Sequence, residues 1–150
     1  MKTGFRFHIV ALALALLFHP GPAGASPRME NKEIVLAFYE DAINRKDFGK
    51  ASKYLGSRYI QHNQDAADGA EGLRNFISFL KDKYPKSHSE IKRVFIDGNF
   101  VILHVHAVRV PGTPGFAIVD IFRLKNGKIV EHWDVHEAII DKPANQNGMF

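Results

Sequence analysis

His132 and Asp134 stand two residues apart in Lys128-Ile129-Val130-Glu131-His132-Trp133-Asp134-Val135, a stretch that follows Asn126-Gly127 and reads as a β-strand. Side chains alternate along a strand, so Val130, His132 and Asp134 share one face, and Ile129, Glu131, Trp133 and Val135 the other. Burying such a polar pair costs free energy, so it is either solvated or used. An imidazole beside a carboxylate can move a proton, with Asp134 as the base or with His132 as the base and Asp134 orienting it.

Whether Asp120 joins them depends on the register of the last hairpin. A two-residue Asn126-Gly127 turn sets Asp120 opposite Trp133, away from the pair. A three-residue loop, Lys125-Asn126-Gly127 with a left-handed Gly127, sets Asp120 opposite His132. Both suit Asn-Gly, and we favour the second. It gathers Asp120, His132 and Asp134 with Ile118, Phe122 and Val130. Ala117, Val119, Ile121, Ile129, Trp133 and Val135 then form an apolar outer face suited to a homodimer contact. A different chemistry is suggested by His104-x-His106: two histidines on one strand face can chelate, with Asp120, His132 or His62 completing a zinc-type set. No third ligand lies close by in sequence, so the expected metal set is none.

These residues need elements to hold them. Ile34, Val35, Phe38 and Ala42 recur at helical spacing, which predicts a helix over about 31–44 with Asn31 as N-cap and Tyr39 at the edge of its core stripe. A short helix follows, capped by Asp47, carrying Phe48, Ala51 and Leu55 and stopped by Gly56. Ser57 to His62 reads as a short extended piece leading into Asn63. Asp68 and Glu71 form a capping box for a helix with Leu73, Phe76, Ile77, Leu80 and Tyr84, ended by Pro85. From Ser89 the period becomes that of strands: Glu90–Ile96, a turn at Asp97-Gly98-Asn99, then Phe100–Val110, Phe116–Leu124 and Lys128–Val135. Segregated helices and an antiparallel meander predict an α+β fold. A strongly twisted sheet with helices on its concave side encloses a cone-shaped pocket for a small molecule.

Composition sets the class. Lys2 and Arg6 precede a ten-residue apolar run, Ile9 to Phe18, then Pro20, Gly21, Pro22 and a small-x-small site at Ala23-Gly24-Ala25. This is the pattern of a secretory signal peptide cleaved after Ala25, and the run is too short to span a bilayer. The expectation is a secreted or periplasmic domain, residues 26–150, with no membrane contact after cleavage. Two basic residues leave with the leader and the rest are dispersed, so the formal net charge of +4 is no nucleic-acid signature. With no cysteine, an exported chain relies on its core.

Asp120-Ile121-Phe122-Arg123 and Asn126-Gly127-Lys128-Ile129-Val130-Glu131-His132-Trp133-Asp134-Val135 resemble the SnoaL-like branch of the nuclear-transport-factor-2-like superfamily. Tyr59-Ile60-Gln61-His62-Asn63 and Pro143-Ala144-Asn145-Gln146-Asn147-Gly148-Met149-Phe150 fit the same branch, and the resemblance spans about Glu30 to Phe150. It implies a cone-shaped α+β barrel, a curved antiparallel sheet wrapped around three helices. It also implies cyclase or aldol-condensation chemistry without cofactor or metal. The family's acid/base residue sits near the end of the last strand, where Asp134 and Glu137 both stand. Ketosteroid isomerase is similar more distantly, with matches at Tyr39, Asp120 and Asn63. An asparagine cannot serve as that enzyme's base, which argues against its chemistry here.

On this resemblance Asp134, His132 and Asp120 are the expected catalytic residues. Tyr39 would donate to the substrate oxygen together with a neutral Asp120. His62 and Asn63 would hold a carbonyl or hydroxyl, with His104 and His106 lining the same pocket. Two alternatives stand beside this. One is an exported, non-catalytic module that binds a small ligand in that pocket. The other is a hydrogen-bond network that merely pins the sheet.

Overall fold

The structure is a computed structural model and describes residues 27–150, so the expected signal peptide lies outside the described residues. Helix α1 (Pro27–Tyr39) opens on a proline, which suits the first helical position because its φ is fixed and it needs no N–H partner. The earlier start places Asn31 inside the helix, buried, rather than at its cap. The helix then widens into a π-helical turn, Glu40–Asn44, a distortion found often beside functional sites. Asn44 fastens this turn to the sheet: its Nδ2 donates to the Ser89 carbonyl (3.1 Å), and the Ser89 N–H donates to its Oδ1 (2.9 Å).

Helix α2 (Phe48–Ala51) is capped by Asp47, whose carboxylate accepts from the Lys50 N–H at 3.0 Å. It ends earlier than its apolar spacing predicts. Ser52–Tyr54 is a 3-10 turn, and Leu55 and Gly56 open strand β1 (Leu55–Gln61) instead of closing the helix. Pairing overrides helix periodicity here: Leu55 lies beside Ile129, and a Cβ on Gly56 would sit 2.8 Å from Val130 Cγ1.

Asp68 precedes helix α3 (Gly69–Lys83), but the expected capping box does not form. Its carboxylate accepts from the Gln61 N–H at 2.7 Å, which ties the 62–68 loop to β1. Leu73, Ile77 and Leu80 form the buried stripe of α3.

Strands β2 (His88–Asp97), β3 (Phe100–Val108), β4 (Phe116–Lys125) and β5 (Lys128–Ala138) form the meander. The sheet order is β1-β5-β4-β3-β2, with β1 parallel to β5 and the other pairs antiparallel. Val35, Phe38 and Ala42 pack on Leu103, Phe122, Leu124 and Ile129 at the centre of the core. The rings of Phe38 and Phe122 meet edge to face at 5.7 Å. This is the expected α+β architecture, a curved sheet wrapped around helices.

The last hairpin adopts neither anticipated register. Lys125 pairs with Lys128 across a two-residue turn, but beyond Leu124–Ile129 the pairs become Arg123–Glu131, Phe122–His132 and Asp120–Asp134. Val130 is a bulge residue, two residues opposing one. With it, Ile129, which lies opposite Leu124 and is fully buried on the inner face instead of the outer face expected for it, still shares that face with His132. The bulge also restores the alternation that puts Phe122, Asp120, His132 and Asp134 on one side. Trp133 remains on the outer face, where Phe95, Phe100 and Val135 are exposed. Among the described residues no helix is long and apolar enough to cross a membrane.

Gly72 offers a test of this packing. A Cβ there would overlap the Ala67 carbonyl oxygen, so the glycine lets α3 lie against the 62–68 loop. Gly72→Ala is expected to destabilise the protein by about 1–3 kcal/mol, from overpacking. The sign opposes the roughly 1 kcal/mol gain that helix propensity alone would give. Urea denaturation of the two proteins reads the difference.

Candidate functional site

A cavity of about 690 Å³ lies between the inner face of the sheet, α1, α3 and the 62–68 loop. Its walls are mainly apolar, with Phe38, Phe76, Phe79, Leu80, Phe116 and Phe122 contributing. That volume is in the range of pockets that enclose a small molecule.

Asp120, His132 and Asp134 line this cavity together. Asp120 and His132 are buried, 5% and 7% exposed. His132 Nε2 lies 3.0 Å from Asp120 Oδ1, and His132 Nδ1 lies 2.9 Å from Gln61 Oε1. The Gln61 oxygen also accepts from the Asn63 N–H at 3.0 Å, which fixes it as the amide's acceptor end. Nδ1 of His132 is therefore the donor. The Nε2–Asp120 contact then contains one proton, held by the imidazole or by the carboxyl group. The second oxygen of Asp120 is buried without a hydrogen-bond partner.

Asp134 is oriented in a similar way. Asn63 Nδ2 donates to both of its oxygens, at 2.8 and 2.7 Å. The Asn63 carbonyl accepts from the Asp65 N–H at 2.7 Å, so its amide can point only one way. Tyr39 and Tyr59 complete the polar wall, both buried. Burial first, and then the negative charge of Asp120, holds the Tyr39 phenol well above its ordinary value. The Tyr59 phenol is pushed up by the same two causes in the same order. Both are kept as neutral O–H donors.

The structure separates the other expected residues from this group. Glu137 pairs with Ala117 and does not line the cavity, whereas Asp134 does. His62 faces the outer side: its ring stacks on Trp133 at 4.5 Å, and its Nε2 lies 2.9 Å from Glu131 Oε1. Adjacent strand residues point to opposite faces, so Asn63 can face inward only if His62 faces outward. The Arg123 guanidinium also pairs with Glu131, and the contacts from His62 and Arg123 hold the Glu131 carboxyl below its usual range.

His104 and His106 are likewise outside the cavity. The face of β3 that turns inward is the wholly apolar one, Val101, Leu103, Val105 and Ala107. His104 Nδ1 meets Arg93 at 3.1 Å, His106 Nε2 meets the Pro114 carbonyl at 2.8 Å, and the Phe150 ring packs on both imidazoles. This placement parts them from Asp120 and His132, so the His-x-His ligand set does not assemble. Asp120, His132 and Asp134 do offer ligand atoms within 4.8 Å of one another. One imidazole and two carboxylates are donors of the kind that bind zinc or iron, with Nδ1 held from behind by Gln61.

Tyr59 and Gln61 are site residues that the sequence reading passed over. The signal was alternation: Tyr59, Gln61 and Asn63 fall on one side of the same extended piece.

The raised phenols predict how stability depends on pH. Below their ordinary value of 10.0 the folded and unfolded chains are both protonated and the contribution is complete. Above it the unfolded chain loses phenolic protons that the folded chain retains, so stability falls by up to roughly 1.4 kcal/mol per pH unit for each tyrosine. Tyr59→Phe is expected to flatten the decline in unfolding midpoint between about pH 10 and 11. Equal slopes for the two proteins would contradict the assignment.

The family of SnoaL-like polyketide cyclases matches residues 33–139. No curated protein matches in sequence. Among solved structures, an uncharacterised cystatin-fold protein from Novosphingobium aromaticivorans is 22% identical with a TM-score of 0.60, over 70% of this chain and 97% of that one. A provisionally named SnoaL-like polyketide cyclase from Jannaschia sp. CCS1 is 19% identical with a TM-score of 0.61, over 77% and 91%. An NTF2-like protein of unknown function from Cytophaga hutchinsonii is 20% identical with a TM-score of 0.58, over 71% and 89%. At such identities the structural likeness speaks for the fold, and the family match spans most of the described chain: the protein belongs to the SnoaL-like polyketide cyclase family.

Proposed function

We propose that the chain catalyses a cofactor-independent acid/base step on a carbonyl compound, of the aldol-condensation or cyclase type. The observation that carries this reading is the convergence of Asp120, His132 and Asp134 on one wall of an apolar cavity, with Gln61 fixing the imidazole tautomer. In the proposed sequence Asp134 takes a proton from the carbon next to the substrate carbonyl. The enolate oxygen is met by the proton held between His132 and Asp120 and by the Tyr39 or Tyr59 hydroxyl. The enolate carbon then attacks a second carbonyl, forming the new C–C bond. The alkoxide that results takes the proton back from Asp134, so the enzyme returns to its starting state.

Asn63 positions the base. Its two hydrogen bonds aim the Asp134 carboxylate while leaving oxygen lone pairs for the substrate. The apolar walls exclude water, which would quench an enolate and weaken each electrostatic contact.

Asp134→Asn keeps the shape and removes the base. The expected loss in kcat is about 10²–10⁴-fold, with one limb of the pH–rate profile gone. Unchanged ligand binding in that variant, together with no turnover of any carbonyl compound by the parent protein, would instead identify a binding module. Tyr39→Phe removes one donor while Tyr59 remains, and about a tenfold or smaller loss is expected from the net worth of one neutral hydrogen bond. Steady-state rates on the same carbonyl substrate give both comparisons.

A further inference from the structure

The acid/base wall occupies one part of the cavity, and another part carries polar groups that the proposed reaction does not use. Arg109 and Ser87 line the cavity as well. Ser89 pairs with Ala107 and His88 with Val108 across β2 and β3, and Ser87 and Arg109 are the residues next beyond that last pair, both lining the cavity. Arg109 follows directly on β3, whose Leu103, Val105 and Ala107 turn inward, and it lines the cavity.

Three observations make this a site. Arg109 is the one permanent cation among the residues lining the cavity. It makes no ion pair with a carboxylate among the described residues, and its guanidinium lies 5.6 Å from the centre of the Tyr84 ring, a cation–π contact that orients it without neutralising it. The Ser87 hydroxyl is buried without a hydrogen-bond partner beside the same cavity. A half-buried guanidinium with no counter-charge and an orphaned hydroxyl are both short of an acceptor, and an anionic group meets both needs.

We propose that Arg109, with Ser87, binds a carboxylate on the substrate, so that the ligand is an apolar carbonyl compound carrying one negative charge away from its reacting centre. The inference rests on the acid/base reading for what happens at the other end. Leu103 pairs with Asp120, and Arg109 lies six residues further along the chain, just past the end of β3, about 20 Å of extended backbone less the reach of the arginine side chain. That span suits a molecule of several fused rings or a comparable chain. A carboxylate at Arg109 would direct the carbonyl end toward Asp134 and keep the substrate's charge away from Asp120 and Asp134. The Tyr84 ring that the guanidinium approaches carries no charge, and the acidic residues lining the cavity, Asp65, Asp120 and Asp134, come from the 62–68 loop, β4 and β5.

The test compares 6-acetyl-2-naphthoate with its methyl ester, which has the same rings and ketone but no charge. Calorimetric titration of the full chain is expected to show the acid bound roughly tenfold or more tightly than the ester, the worth of a charged hydrogen-bonded pair. Arg109→Ala should remove that preference and leave ester affinity within about twofold, and Arg109→Lys should keep part of it. Equal affinity of the two probes for the parent protein would overturn the proposal. So would binding of neither probe, or an Arg109→Ala variant, folded by circular dichroism, that weakens both alike. Binding is read without turnover, so the two readings fail separately. A preserved acid preference in a protein that turns over no carbonyl compound removes only the acid/base chemistry. Turnover of neutral carbonyl substrates with no acid preference removes only the anion subsite.

Discussion

Between the pairs Leu124–Ile129 and Arg123–Glu131 the β4–β5 ladder gains one residue on one side, Val130. Strand side chains have a period of two, so one inserted residue exchanges the faces of everything beyond it. Without the bulge, a two-residue Asn126-Gly127 turn would set Asp120 opposite Trp133 and turn His132 and Asp134 outward. With it, Ile129 fills the core while His132 and Asp134 enter the cavity. The composition of the site depends on that local irregularity more than on any single contact within it.

The bulge brings the ionisable groups together, and two side-chain amides make the arrangement specific. Gln61 accepts from the Asn63 N–H and from His132, and Asn63 accepts from the Asp65 N–H and donates to Asp134. Each amide is oriented by a backbone group that cannot rotate, so donor and acceptor roles pass outward from the main chain to His132 and Asp134. The imidazole tautomer and the carboxylate aim are set before any ligand arrives. Such preorganisation is the usual source of electrostatic catalysis.

Much of this was legible in the sequence, and the failures have physical causes. The α+β fold, the four meander strands and the grouping of Asp120, His132 and Asp134 all follow from periodicity, which survives an error in register provided the parity is right. The expected register put Asp120 opposite His132; the bulge puts it opposite Asp134 and keeps the shared face. The Ile129 and Val130 assignments failed because a bulge leaves no compositional mark. His104 and His106 were placed inside on the strength of their chemistry, although Val101, Leu103, Val105 and Ala107 offered a wholly apolar alternative face and the core took it. His62 failed for a simpler reason: it cannot share an inward face with its neighbour Asn63. Arg109 could not be assigned a place in the cavity without knowing how β2 and β3 align.

The parallel pairing of β1 with β5 has a kinetic consequence. Asp120, His132 and Asp134 come from one hairpin, whereas the Gln61 and Asn63 amides reach them across a separation of 71 residues. A hairpin closes on a microsecond scale, and a distant parallel strand must wait for a large loop to be brought in. The proton-carrying groups are thus neighbours early in folding. They take the orientation of the folded chain only after β1 docks, so order at this site reports completion of the whole domain.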